Sequence, residues 1–223
     1  MALPKPYYED GSVTIYHGDC RELLPYVEAD VLVTDPPYGI THTQGGFNGA
    51  RTGRSILNDE STEVRDDLLN AWGSGPALVF GSPLLPPSRT RQVLVWQKGP
   101  AAGLIGAAWG WRRDWEAIFV LGDWPARTDH KSSVFTFPAA RHEAKVYGHS
   151  HTKPFSLMLS LIERCPVGVV FDPFMGSGTT VKAAKDSGRK AVGIELEERY
   201  CQIAAERCSQ EVLDLGAEGG SPE

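Results

Sequence analysis

The chain has 223 residues, with 22 Lys and Arg against 28 Asp and Glu and a formal net charge of −6. That length fills one α/β domain, or one domain with a modest insertion, and leaves little for a second core. A hydrophobic share of 41% excludes a disordered, collagen-like or coiled-coil chain, and the acidic total argues against a nucleic-acid binder, because phosphates reward Lys and Arg.

Met1 to Pro6 contain no apolar run of the secretory-leader kind, and no uncharged apolar stretch reaches membrane-spanning length. The cysteines, at 20, 165, 201 and 208, have no Cys-x-x-Cys spacing and fit a reducing compartment, so a cytoplasmic location is the expectation. His142, His149 and His151 read as polar loop residues, and no metal is expected.

In chain order, Val13 to His17 alternates as a short strand, and Arg21 to Tyr26 reads as a helical turn or two. Val31 to Thr34 is an apolar strand stopped by two prolines in Asp35-Pro36-Pro37-Tyr38, since neither proline can donate to a ladder. Gly39 to Ser55 is a long loop of Gly, Thr and Arg, and loops of that length are usually functional or mobile. A helix over Glu63 to Trp72 and a strand over Ala77 to Phe80 follow. Val93 to Trp96 and Ala117 to Leu121 are two more strands, around a Gly- and Trp-rich stretch. Within 122–150 only Val134 to Phe137 looks strand-like. Phe155 to Arg164 is an amphipathic helix opening after Pro154, and Val167 to Phe171 a strand, with Gly168 a weak point or a close backbone approach. Thr179 to Ser187 is a helix closed by Gly188, Ala191 to Glu195 a strand, and Arg199 to Val212 a last helix before a tail. Strands alternating with helices predict an α/β fold, a mostly parallel sheet with helices on both faces.

Strand, then Gly176-Ser177-Gly178, then helix is an arrangement in which backbone approaches a ligand. A P-loop needs Lys after the last Gly, where Thr179 stands, and a dinucleotide fingerprint needs a small residue at Val181. Glu195, 19 residues beyond Gly176, is where a carboxylate accepts ribose hydroxyls. Asp172 would repel a pyrophosphate but suits a ligand carrying an ammonium or sulfonium group. Adenosine joined to a cationic amino acid describes S-adenosylmethionine. A Gly-rich turn that only tightens a strand–helix joint is the alternative.

Asp35-Pro36-Pro37-Tyr38 adds chemistry. The amino group of a purine or pyrimidine is a poor nucleophile, because its lone pair is delocalised. Hydrogen bonds to the Asp35 carboxylate and the Pro36 carbonyl would localise that pair, and Pro36 and Pro37 fix the acceptors in advance. Tyr38 offers a face on which an extruded base stacks.

The chain resembles the DNA amino-methyltransferases of the permuted β group, in which the Asp-Pro-Pro-Tyr motif precedes the cofactor loop. Five segments carry the resemblance: His17-Gly18-Asp19-Cys20, Asp35 to Tyr38, His151-Thr152-Lys153-Pro154, Asp172 to Thr180, and Gly193-Ile194-Glu195. The resemblance implies an S-adenosylmethionine-dependent methyltransferase fold with permuted motif order and a small target-recognition insertion. It divides the chain into a catalytic part (1–121), a recognition region (122–148), a cofactor-binding part (149–212) and a tail (213–223). It implies Asp35, Pro36, Pro37 and Tyr38 as catalytic residues. The cofactor residues it implies are Asp19, Cys20, Asp35, Lys153, Asp172, Phe174, Gly176, Ser177, Gly178, Thr179, Thr180 and Glu195. The Pro and Gln that family members often carry before the Lys-Pro pair are absent, which weakens Lys153 as a cofactor neighbour relative to Asp172 and Glu195.

The implied reaction is methyl transfer to an amino group of a flipped base in double-stranded DNA. Adenine N6 is favoured because Asp opens the motif more often in N6-adenine than in N4-cytosine enzymes; the N4-cytosine reading and a non-catalytic DNA- or cofactor-binding relative remain as alternatives. No membrane is expected as a partner, and a homodimer and a partner restriction nuclease are candidate associations. Charge is unevenly spread: residues 86–154 hold 10 Lys and Arg against 5 Asp and Glu, while both flanks are acidic. That basic third nominates Arg112, Arg113, Arg127, Lys131, Arg141 and Lys145 as DNA contacts, with Arg51 and Arg54 in the 39–55 loop as a lid or phosphate clamp.

Overall fold

The computed structural model describes residues 4–39, 61–100, 102–103, 111–126, 128–148 and 152–210. Nine strands form one sheet in the order β1-β2-β9-β8-β3-β4-β6-β5-β7. In chain order they are β1 (Tyr8–Glu9), β2 (Val13–His17), β3 (Val31–Thr34), β4 (Ala77–Gly81), β5 (Gln92–Gln97), β6 (Trp115–Leu121), β7 (Val134–Thr136), β8 (Val170–Asp172) and β9 (Ala191–Glu195). β2, β9, β8, β3 and β4 are mutually parallel, whereas β6 runs antiparallel to both β4 and β5.

Side-chain alternation separates two cores. Val31, Val33, Leu78, Phe80 and Ile118 face α4 (Phe155–Ile162), α5 (Thr179–Asp186) and α6 (Glu198–Ser209). Leu32, Ala77, Val79, Phe119 and Phe171 face α1 (Cys20–Leu23) and α2 (Glu63–Trp72). Strands buried on both faces must be apolar throughout, which is why β3 and β4 contain no charge. The architecture is the expected α/β one, a mostly parallel sheet with helices on both faces.

Most expected elements shift by a residue or two at an end, and a few differ more. The strand expected over Val167 to Phe171 starts only at Val170 and runs to Asp172: Val167 is 97% exposed, and Gly168 has a φ of +132°. A Cβ on Gly168 would lie 2.2 Å from the Asp30 carboxylate, so the close backbone approach is real. The Arg21 to Tyr26 turn is α1 followed by a 3₁₀ turn, Leu24–Tyr26. The last helix spans Glu198–Ser209, and α3 (Arg141–Val146) forms where no helix was expected. Most of the 39–55 loop, with Arg51 and Arg54, lies outside the described residues, as do Arg127, His151 and the tail.

Candidate functional site

Parallel strands deliver their C-terminal ends to one edge of a sheet, where open α/β folds bind ligands. Here that edge gathers His17, Glu195, Asp172, Thr34 and Gly81. β3 and β8 are neighbours, so the Asp35 motif and the Gly-rich loop leave the sheet side by side although 138 residues separate Thr34 from Asp172. The buried Thr34 hydroxyl donates to Asp172 Oδ1 at 2.7 Å and ties the two segments together.

The Gly-rich loop is tightly held. Gly178 caps α5 in the left-handed region, φ +81° and ψ 24°. A Cβ there would stand 2.6 Å from the Ala204 methyl of α6, so glycine is required for both conformation and space. Glu195 Oε2 accepts from Gly176 N at 2.9 Å and Oε1 from Glu197 N at 2.8 Å. Gly176, Ser177, Thr179 and Thr180 are buried, and Phe174 is half-buried against the α1–α2 core.

Burial raises the Glu195 carboxyl above its usual range, against hydrogen bonds from Glu197 and Gly176. Asp172, 2% exposed, is pushed up to about 6 by burial, despite hydrogen bonds from Thr180, Thr34 and Phe174 N. Two desolvated carboxylates and no basic side chain on this loop fit a ligand that brings cationic and hydroxyl groups. They do not fit a phosphate.

Asp19 and Cys20 are carried to Glu195 by the Gly18 N–H, which donates to the Glu195 carbonyl at 3.0 Å. Asp19 caps α1 through Arg21 N at 2.9 Å and pairs with the Arg21 guanidinium. Burial pushes the Cys20 thiol up to about 12, so it stays protonated and inert.

Beyond β3, Pro36 is buried and Asp35, Pro37 and Tyr38 are half-buried. Lys153, expected as a cofactor neighbour, donates to Asp35 Oδ2 at 2.5 Å, and the Thr152 hydroxyl beside it lies 3.4 Å from that of Ser177. The hydroxyl of Tyr38, whose ring is the expected stacking face, donates to Asp35 Oδ1 at 2.8 Å and lies 3.3 Å from Glu116 Oε2.

Arg207 of α6 is a further residue that sequence patterns do not reveal. Its buried guanidinium donates to the Ser177 carbonyl at 2.6 Å and the Thr179 hydroxyl at 3.2 Å, and stacks 4.1 Å from the Tyr147 ring. Arg207→Met is expected to leave those acceptors unpaired, costing about 1–2 kcal/mol. A thermal melt should show the loss; an unchanged Tm and cofactor affinity would remove Arg207 from the site.

The basic residues nominated in the middle third do not share one surface. Arg112 and Arg113 precede β6, at the Asp35 end of the sheet, and both are exposed. Arg112 donates to the Pro100 carbonyl and pairs with Asp114 at 3.5 Å. Arg141 and Lys145 follow β7 on α3, at the same end. Lys131 precedes β7, towards the opposite end, because β7 runs parallel to β5. The 122–148 stretch therefore serves both ends of the sheet.

A sheet of this order, with a Gly-rich turn after β8 and a carboxylate ending β9, defines a methyltransferase-fold protein. The sequence matches the DNA methylase family of N6 and N4 methyltransferases over residues 91–206, and the chain belongs to that family. It is 27% identical over 268 residues to the type II methyltransferase M.ScaI of Streptomyces caespitosus, covering 96% of this chain and 87% of that protein. Two solved structures share the fold. One is an M1.HpyAVI–SAM complex, with TM-score 0.61, 24% identity, and coverage of 89% and 100% of the two chains. The other is PvuII DNA methyltransferase (cytosine-N4-specific), with TM-score 0.68, 16% identity, and coverage of 94% and 90%.

Proposed function

We propose that this protein is a site-specific DNA methyltransferase that moves a methyl group from S-adenosylmethionine to the amino group of a flipped base, adenine N6. The observation that carries this reading is the Thr34–Asp172 hydrogen bond of 2.7 Å, which sets the Asp35 motif beside the Gly-rich loop. Asp172 would hold the cationic methionine end of the cofactor, Glu195 its ribose, and Asp19 and Cys20 would flank its adenine. Gly176 to Thr180 and Phe174 shape the pocket. When bound, the cofactor supplies an electrophilic methyl carbon.

The chain's own residues do the rest. Asp35 and the Pro36 carbonyl accept the two N–H groups of the target amine and direct its lone pair outward. Pro37 stiffens the segment. Tyr38 turns its ring to the extruded base, whose extrusion costs a few kcal/mol. Asp35 is also placed to take the proton that the amine releases once it carries the methyl.

Incubation with double-stranded DNA and cofactor, digestion to nucleosides and mass spectrometry test this directly. N6-methyladenine is the expected product. N4-methylcytosine would move the target to cytosine, and no methylated base despite cofactor binding would make the protein a non-catalytic relative.

Arg112, Arg113, Arg141 and Lys145 are proposed phosphate contacts. With about four such contacts, DNA affinity falls roughly 100-fold between about 50 and 200 mM salt. Each Arg→Ala change should flatten the logarithmic slope by about one. Fluorescence anisotropy titrations measure both, and a flat salt response would put the DNA elsewhere.

A further inference from the structure

Behind the Asp-Pro-Pro-Tyr motif four charged side chains form a line of alternating sign. Asp35 Oδ2 holds Lys153 Nζ at 2.5 Å, Lys153 Nζ reaches Glu116 Oε2 at 3.3 Å, and Glu116 Oε1 holds Lys98 Nζ at 2.6 Å. The Tyr38 hydroxyl spans the inner part, within reach of both Asp35 and Glu116. Lys153 is 9% exposed and packs its ammonium 4.9 Å from the Phe80 ring centroid. Glu116 lies on β6 opposite Trp96 of the antiparallel β5, and Lys98 directly follows β5.

A cross-strand Lys–Glu pair that only stitches β5 to β6 has no need to touch Tyr38 or Lys153. Glu116 touches both. Burial pushes its carboxyl up, but the Lys153 and Lys98 ammoniums outweigh this and hold it at about 2. It is therefore a fixed negative charge.

Charge balance shows what Glu116 adds. Asp35 and Lys153 alone form a neutral pair, and a carboxylate spent on a buried ammonium is a weak acceptor for an amine that is turning cationic. With Glu116 the inner trio carries one net negative charge. Lys98, 20% exposed beside Glu116 at 21%, balances that charge from the outer end of the line.

We propose that Glu116 is a positioning residue for methyl transfer. By engaging Lys153 and Tyr38 it sets the orientation of Asp35 and gives Lys153 a second seat when the target amine takes the Asp35 oxygens. Its carboxylate also stands one step nearer Asp35 than Lys98 does, so it offsets the Lys153 charge as the amine nitrogen becomes positive. This rests on the methyl-transfer reading above.

Glu116→Gln keeps the shape and removes the charge. It is expected to lower kcat about 10- to 100-fold, with KM for DNA and cofactor Kd within about threefold of wild type. Glu116→Asp should recover most of the rate. On a Lys153→Met background, Glu116→Gln should add less than about threefold, because its partner is gone. Wild-type kcat in Glu116→Gln, or full additivity with Lys153→Met, would overturn the proposal. If Glu116→Gln does not fold, single-turnover rates of Glu116→Asp against Glu116→Asn make the same comparison, and equal rates overturn it. A wild-type protein that methylates no DNA overturns the underlying reading instead.

Discussion

Asp35→Ala is expected to reduce methyl transfer to DNA by about 100- to 1,000-fold, far more than it weakens the cofactor. The substitution removes the acceptor for one N–H of the target amine. It also strands the Lys153 ammonium, which loses its 2.5 Å partner and keeps Glu116 at 3.3 Å. A cation is then left where the reacting nitrogen becomes positive, so two losses act in the same direction. Asp35→Asn keeps the shape but presents an NH₂ that competes with the amine as a donor, and an intermediate loss is expected. Single-turnover transfer of a labelled methyl, alongside calorimetry for the cofactor, separates chemistry from binding. Full methyl transfer by Asp35→Ala would sink the mechanism.

The fold was legible wherever burial imposes a period. β2 and α2 stand in the sequence because apolar residues recur at two- or 3.6-residue spacing, and β3 and β4 because a short unbroken apolar run lies between Gly, Pro or polar stops. α3 was not, because Arg141-His142-Glu143-Ala144-Lys145-Val146 buries none of its residues and so shows no apolar face. β1 is too short to show a period. The strand before Asp172 looked longer than it is, since Val167 and Val169 imitate a buried run that Gly168 breaks.

The site divides along similar lines. Asp35 to Tyr38 and Asp172 to Thr180 are local patterns, visible because strand ends and glycines sit next to the groups they present. Glu116, Lys98, Arg207 and Thr34 act through strand register and helix packing, and a lone charge in a strand carries no sign of its partner. Lys153 illustrates the gap: its segment was recognisable, but only the packing of Phe80 from β4 and Glu116 from β6 around it seats its ammonium on Asp35. The net charge of −6 is a further case, because an acidic residue such as Asp172 is buried at a strand end while Arg112 and Arg113 are exposed at the same edge of the sheet.

Asp172→Asn is expected to stabilise the unliganded protein and weaken the cofactor. Burial raises the Asp172 carboxyl to about 6 in the fold, against about 3.9 in an unfolded chain. Between those values the folded state binds the extra proton, so stability falls as pH rises through the window. Above pH 6 the full penalty, about 3 kcal/mol, is present. The asparagine variant carries none of it, and its amide oxygen can still accept from Thr34 and Phe174 N. At neutral pH its Tm should exceed wild type by roughly 6–12 °C, with the gap closing towards pH 4. A cationic ligand beside the carboxylate would restore its charge and release a proton. Cofactor affinity should therefore be level above pH 7 and fall by up to about tenfold per unit below 6. Asp172→Asn should lose roughly 10- to 100-fold in affinity at neutral pH, and most of that pH dependence. Calorimetry at pH 5 and 8 decides the matter: equal affinities for wild type at both would make Asp172 a tether for Thr34 and Phe174 with no cation to hold.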